Sequence, residues 1–305
     1  MSFSGGVKNE ICRVFPSKDC DISAECYGIL LYCNTFSSRE VRIITENDSL
    51  AERIPALFSK SFGLAFDDIR APESGKRSFI ITSPDKLETV FGVYGFSPDE
   101  TLSHHINRAV LEDSCCCASF LRGAFLAGGS VSDPRKSYHL ELATPHAGVA
   151  REMPALLREL DFEPKSVSRA GNHVTYFKQS GAIEDFLTLI GASVSAMELM
   201  GAKIEKDMRN SVNRRVNCDT ANVSKTVDAA QGQLETISLL DLGALPDKLR
   251  DTARRRLGNP ELSLSELAAL HDPPITKSGL SHRLRRLREL ASGPGDAGRE
   301  KSKDA

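Results

Sequence analysis

Apolar residues recur along this chain with two periods, and the alternation between them predicts its elements. Helical spacing covers residues 22–34, 49–62 and 84–94, then 115–128, 147–161 and 181–191. Two-residue alternation covers 39–45, 77–82 and 138–143, where Tyr138, Leu140 and Leu142 alternate, with further strands near 165–169 and 173–178. This mixture gives an α+β class. Toward the C-terminus only the helical period persists. Val227, Ala230, Leu234 and Ile237 make one stripe of a helix over 224–240. Leu245-Pro246-Asp247 opens the next helix with proline at its first position, and Gly258-Asn259-Pro260 stops it. Ser263-Leu264-Ser265-Glu266 is a capping box that starts a short helix holding Leu264, Leu267, Ala268 and Leu270. A turn at His271–Ile275 follows. Thr276 or Ser278 then caps a helix running to about Ala291, whose Leu280, Leu284, Leu287 and Leu290 form the buried stripe.

The first two thirds of the chain repeat themselves. Glu52-Arg53-Ile54-Pro55-Ala56-Leu57-Phe58 returns 99 residues later as Arg151-Glu152-Met153-Pro154-Ala155-Leu156-Leu157. Tyr27–Leu31 returns as Arg122–Leu126 at a spacing of 95, and Ser83–Leu87 is echoed near Ser180–Glu184. Three landmarks in one order predict a duplicated unit of roughly 95 residues. Gly28 and Gly123 lie inside the first helix of each unit, where glycine costs roughly 1 kcal/mol relative to alanine. With Ala127 and Gly128 they allow two helix backbones to meet closely, as a seam along a pseudo-two-fold axis. The expected organisation is a first unit over 1–105, a second over 106–204 and a connector over 205–225. A helical domain over 226–292 and a disordered tail over 293–305 follow.

Composition narrows the function. With 40% hydrophobic and 26% charged residues the chain reads as globular, neither fibrous nor wholly disordered. Its richest apolar stretch, Cys115–Gly129, contains Arg122 and falls short of the ~18–20 residues a membrane span needs. Met1–Phe15 lacks the apolar core of a secretory signal. The net charge of -2 hides an asymmetry: residues 1–115 hold 12 Lys and Arg against 17 Asp and Glu, whereas residues 248–292 hold ten against five. A basic end on a mildly acidic body points to a polyanion held at that end. Eight cysteines without a C-x-x-C pair read as reduced thiols packed in a cytosolic protein. Zinc on Cys12, Cys20, Cys26 or Cys33 lacks the paired short spacings of structural sites, and Cys115, Cys116 and Cys117 suit a buried helix start. No metal and no cofactor is expected.

A short apolar helix, a turn and a basic amphipathic helix are the sequence form of a helix-turn-helix. Its second helix would present Lys277, Ser278, Ser281, His282 and Arg285 to base edges in double-stranded DNA, with Arg283, Arg286 and Arg288 nearer phosphate or solvent. The connector is dense in Arg and Asn, and its four asparagines depress helix propensity. It reads as a solvated linker or as an arm along nucleic acid through Arg209, Asn213, Arg214, Arg215 and Lys225.

Two resemblances follow from these residues. Leu121-Arg122-Gly123-Ala124-Phe125-Leu126-Ala127-Gly128-Gly129 resembles the LAGLIDADG motif of homing endonucleases, and Cys26–Asn34 resembles a degenerate first copy. In the active enzymes an acid near the end of each motif holds the divalent metal. The positions matching it are Gly128 and Cys33, which offer no carboxylate. Asp133 lies beyond the helix, before Pro134, and reads as a loop residue. The whole arrangement, over about residues 5–292, resembles the WhiA family of bacterial regulators. Its most specific pieces are Asn213–Asp219, Ala221-Asn222, Lys225-Thr226 and Lys277–Leu284. The resemblance implies a duplicated LAGLIDADG-like body followed by an all-α helix-turn-helix domain. It implies a DNA-binding transcription factor at promoter sites, acting in cell division, sporulation and chromosome segregation, cytoplasmic and nucleoid-associated. The body is open to a protein partner, to DNA or to itself alone, and no nuclease activity is expected. The competing readings are an RNA-binding or protein-interaction scaffold and a divalent-metal nuclease using Asp133.

Overall fold

The computed structural model describes residues 2–71, 75–99, 103–169 and 171–292, so the expected tail lies outside the described residues. The chain divides into two units, the first ending at Met208 and the second starting at Arg209.

In the first unit, α1 (Phe3–Cys12) precedes two copies of one pattern. The first copy is α2 (Asp19–Tyr32), β1 (Thr35–Ser37), β2 (Glu40–Thr45), α3 (Asp48–Phe62), β3 (Asp68–Arg70), β4 (Arg77–Ile81) and α4 (Pro84–Val93). The second is α5 (Ser114–Gly128), β5 (Gly129–Val131), β6 (Leu140–Thr144), α6 (Ala147–Glu159), β7 (Lys165–Arg169), β8 (Asn172–Phe177) and α7 (Ser180–Leu189). Each copy builds an antiparallel four-stranded sheet, in the orders β1-β2-β4-β3 and β5-β6-β8-β7. Val41 pairs with Ile81 in one and Leu140 with Phe177 in the other. Pro55 and Pro154 sit inside α3 and α6. The expected elements of the duplicated body recur within a few residues. The short β1, β3 and β5, of three residues each, are additions, because three residues hold too little alternation to register as a period.

A single core joins the two copies, and α2 and α5 run through it. Both helices are apolar on nearly every side because each is covered all round. Where they touch, no side chain fits. A Cβ on Gly28 would lie 2.1 Å from the Phe120 carbonyl oxygen, and one on Gly123 would lie 2.0 Å from that of Glu25. Gly128 meets a different neighbour, the Ala143 oxygen of β6 at 2.3 Å. Ala127 is half-buried beside the same core.

One ion pair lies inside this core. Arg53 of α3 donates from Nε and Nη2 to Glu25 of α2 at 2.7 and 2.9 Å, and both side chains are buried. Arg53 Nη1 reaches the Val14 oxygen at 2.9 Å, and Arg122 approaches the same carboxylate at 3.5 Å. Arg122, the charge inside the apolar stretch, also donates to the Ile190 oxygen at 2.9 Å.

Two histidines give the first unit an acid limit. His104 and His146 rings lie 4.4 Å apart, and His104 stacks on Phe36 at 4.3 Å. His104 Nδ1 and His146 Nε2 are buried without a hydrogen-bond partner. Burial, then the neighbouring His104, pulls His146 down to about 4 from its ordinary 6.5. The unfolded chain therefore takes up protons below about pH 6.5 that the folded chain refuses until about pH 4, and folding stability falls across that window. Urea unfolding at about pH 7 and about pH 5 should show this fall, and His146→Phe should reduce it. An equal fall in the variant would assign the acid sensitivity to other groups.

The connector departs from expectation. Residues 205–225 are helical throughout, within α8 (Ser193–Ser238), and no separate helix begins at 224. No Gly or Pro occurs between Ala202 and Gln231, and four asparagines cost only a few tenths of a kcal/mol each beside Lys, Glu, Met and Arg. Both ends are anchored. Glu10 of α1 accepts from the Val194 and Ser195 amides at 2.7 and 2.9 Å, and Ile237 is buried in the second unit.

That second unit continues through α9 (Asp247–Gly258), α10 (Leu264–Ala269) and α11 (Lys277–Ser292). Its core is Ile237, Leu245, Ala253, Leu267, Ala268, Leu280, Leu284 and Leu287. Three expected stripe members, Val227, Leu270 and Leu290, are exposed, and Ala230 and Leu234, though more covered, also stand outside this core. Each of the exposed three lies near the end of its stripe, where the helix has already turned off its neighbours. Pro246 is the N-cap of α9 and precedes its first turn. Among the described residues no helix is long and apolar enough to cross a membrane.

Candidate nucleic-acid interface

The local chemistry of the second unit dictates its helix-turn-helix. Ser263 Oγ accepts from the Glu266 amide, and the Glu266 carboxylate accepts from the Ser263 amide at 2.9 Å, so the capping box is complete. Thr276, not Ser278, caps α11, accepting from the Gly279 amide at 3.1 Å. Between them His271 is buried. Its ring lies 3.1 Å from Thr252 Oγ1 on α9 and 3.0 Å from the Leu267 oxygen on α10. The turn is therefore pinned to both flanking helices.

This frame turns Leu280, Leu284 and Leu287 of α11 inward. At 100° per residue the opposite face carries Ser278, His282 and Arg285, with Ser281, Arg288 and Lys277 on one flank and Arg286 on the other. All of these are exposed. Short polar side chains near the N-terminal half and cations around them suit a groove with phosphate walls. Arg286 and Arg285 lean toward Glu289, at 2.8 and 3.9 Å.

Arg283 stands apart from the rest of the expected set. It is half-buried, and its Nη1 donates to Thr252 Oγ1 at 3.4 Å. Three other cations of the basic segment are also used internally. Arg250 donates to the Leu242 and Leu245 oxygens at 2.9 and 2.7 Å. Arg255 holds Asp251 at 2.9 Å, and buried Arg256 donates to the Leu262 oxygen at 2.6 Å. Sequence counting gave all four to the polyanion, because charge alone does not distinguish a cation facing water from one capping carbonyls.

The connector residues do not form one patch. Arg209, Asn213, Arg214, Arg215 and Lys225 are all exposed on α8. Helical geometry puts Arg209 with Asn213, Arg214 with Lys225, and Arg215 on a third side. Lys225 alone joins the helix-turn-helix. It lines a groove of about 220 Å³ with Gln233, Arg256, Ser263, Ser265 and Lys277. Gln233 and Ser265 escaped the sequence reading, since neither follows from period or charge.

The ends of α2 and α5 that match the LAGLIDADG acid position hold Cys33 and Gly128, neither of them a carboxylate. Cys33 is buried and donates to the Leu30 and Thr35 oxygens at 3.2 and 3.1 Å. Gly128 is pressed on β6, and Thr144 of that strand donates to the Leu31 oxygen at 2.6 Å. Asp133 accepts from the Arg135 amide at 2.8 Å and closes a turn. On the first sheet, Arg42 pairs with Glu40 and Arg70 with Asp68, at 2.5 and 2.6 Å.

Comparison with known proteins follows this division. A family model described as the WhiA C-terminal HTH domain matches residues 212–291, and one described as the WhiA LAGLIDADG-like domain matches residues 117–209. A protein of Ruminiclostridium cellulolyticum named probable cell division protein WhiA is 39% identical over 95% of this chain and 97% of its own. One of the same name from Alkaliphilus metalliredigens is 34% identical over 95% of this chain and 98% of its own. The crystal structure of full-length DUF199/WhiA from Thermotoga maritima shares the fold, with a TM-score of 0.59 and 24% identity over 96% of this chain and 98% of that one. A duplicated body whose second copy matches the LAGLIDADG-like model, continuing into a helix-turn-helix and matched over nearly the full chain by these relatives, makes this chain a member of the WhiA family.

Proposed function

We propose that this chain is a sequence-specific regulator of transcription that binds double-stranded promoter DNA and does not cut it. The carrying observation is the exposed face of α11, with Ser278, His282 and Arg285 set opposite Leu280, Leu284 and Leu287 and Ser281 exposed on its flank. Lys277 and Lys225 supply phosphate contacts beside it. The in-strand pairing of Arg42 and Arg70 weakens the claim of the first sheet on phosphate, which leaves the body for a protein partner. The absence of an acid at Cys33 and Gly128 supports a non-enzymatic role, because a hard divalent metal needs carboxylate oxygen there. The relatives' names support action in cell division. Sporulation, chromosome segregation and a place in the cytoplasm on the nucleoid complete the reading.

The test is selection of genomic fragments by the full chain. Enrichment of a distinct motif is expected. Arg285→Ala should then weaken the selected site by about 1–3 kcal/mol and relax preference at one position. Arg283→Ala should chiefly lower the stability of the second unit. Neutralising some four to six phosphates gives a log–log salt slope of roughly -4 to -5. Unchanged site preference in Arg285→Ala refutes this docking, and plasmid nicking by clean protein with Mg2+ or Mn2+ refutes the non-enzymatic role.

A further inference from the structure

The seam helices also begin together. Cys20 and Asp21 lie in the first turn of α2, and Cys115 and Cys116 lie in the first turn of α5. One ligand atom from each of the four lies within 4.8 Å of every other. The repeat spacing explains the meeting. The offset of 95 that places Gly28 on Gly123 also places Cys20 on Cys115 and Asp21 on Cys116. The pseudo-two-fold axis thus gathers two donors from each copy.

We propose that Cys20, Asp21, Cys115 and Cys116 form a site for a thiophilic divalent cation of the Zn2+ class, which ties the two copies at the N-terminal end of their seam. Three sulfurs and one carboxylate oxygen are a four-donor tetrahedral set of the Zn2+ type. The soft sulfurs select against Mg2+ and Ca2+. A second observation points the same way. Asp21 Oδ1 is buried and has no hydrogen-bond partner, which is costly for a carboxylate oxygen unless something binds it. Charge balance is favourable as well. Three thiolates and a carboxylate leave a Zn2+ centre with two excess negative charges. Two helix N-termini, each equivalent to roughly half a positive charge, face part of that excess. Lys18, whose Nζ lies 3.9 Å from Cys115 Sγ, meets the rest. Cys116 is buried and Cys20 exposed, so the set has a fixed inner wall and an open approach from water. The site is independent of the DNA reading and lies about 20 Å along α2 from Cys33, the position that matches the nuclease acid.

The measurement is metal uptake by reduced full-length chain. One equivalent of Zn2+ should survive gel filtration, raise the melting temperature and release protons on binding. Co2+ in its place should give a thiolate-to-cobalt charge-transfer band. Cys20→Ser, on an exposed position that cannot unfold the core, and Asp21→Asn should each weaken Zn2+ binding at least 10–100-fold, the loss seen even for residues that only support a ligand. Cys218→Ser, on an exposed cysteine of α8, should leave binding unchanged. Absence of uptake by the reduced chain, or equal uptake by Cys20→Ser and Asp21→Asn, overturns the proposal. A Cys20–Cys115 or Cys20–Cys116 disulfide in a chain that takes up no metal when reduced overturns it in favour of a redox bridge.

Discussion

Replacing Arg53 by alanine is expected to destabilise the first unit by about 3–5 kcal/mol, the cost of leaving a buried charge without its partner. Glu25 is fully buried and Arg53 is 4% exposed. The carboxylate would keep only Arg122 at 3.5 Å, and the Val14 oxygen would lose its donor. The expected magnitude is a large share of the 5–15 kcal/mol by which domains are folded. Denaturant unfolding of the two chains measures it. Replacing both partners, as in Glu25→Leu with Arg53→Met, should cost less than Arg53→Ala, because the desolvated charge goes with its partner. A loss below about 1 kcal/mol in Arg53→Ala would show that water or Arg122 replaces the lost contacts.

Leu280→Ala should have a comparable effect on a smaller body. The second unit rests on eight buried apolar side chains, and Leu280 is fully buried among them. Truncation of such a leucine costs 2–5 kcal/mol through lost transfer energy and the cavity left behind. A core this small has little stability in reserve. Calorimetry should show a lower transition for the second unit and an unchanged one for the first, and DNA binding should fall with it. Leu290→Ala is the control on the same helix. At 43% exposure it should change stability by less than about 0.5 kcal/mol. Equal effects from the two leucines would contradict the packing of α11.

These cases show what the sequence made legible. The long helices and the central strands of both sheets announce themselves, because their apolar faces persist for several periods. Gly28 and Gly123 were readable because a glycine inside an apolar helix needs a reason, and close backbone contact supplies one. The continuity of α8 was hidden by Asn210, Asn213, Asn217 and Asn222, whose individual preferences are weak beside an unbroken run free of glycine and proline. The exposed polar and cationic face of α11 was legible from Lys277 to Arg285. The internal contact of Arg283 was not legible, since its partner Thr252 stands 31 residues away and no local rule connects them. The meeting of Cys20 and Asp21 with Cys115 and Cys116 was not legible for the same reason. Metal spacing rules look within a few residues, whereas the offset that joins these pairs is that of the duplication itself.

The glycine seam also sets a schedule for synthesis. Ten residues of α2, from Ile22 to Tyr32, are buried in the finished fold, much of that cover coming from α5. On the ribosome Gly28 precedes Gly123 by 95 residues. At about 5–20 residues per second, this apolar helix waits roughly 5–20 s for its partner. During that interval the nascent first copy carries a ready-made binding surface for a chaperone or for the same helix of a neighbouring nascent chain. The close helix contact that makes one core from two copies makes the half-finished chain sticky, and slower translation across residues 33–123 would lengthen that exposure.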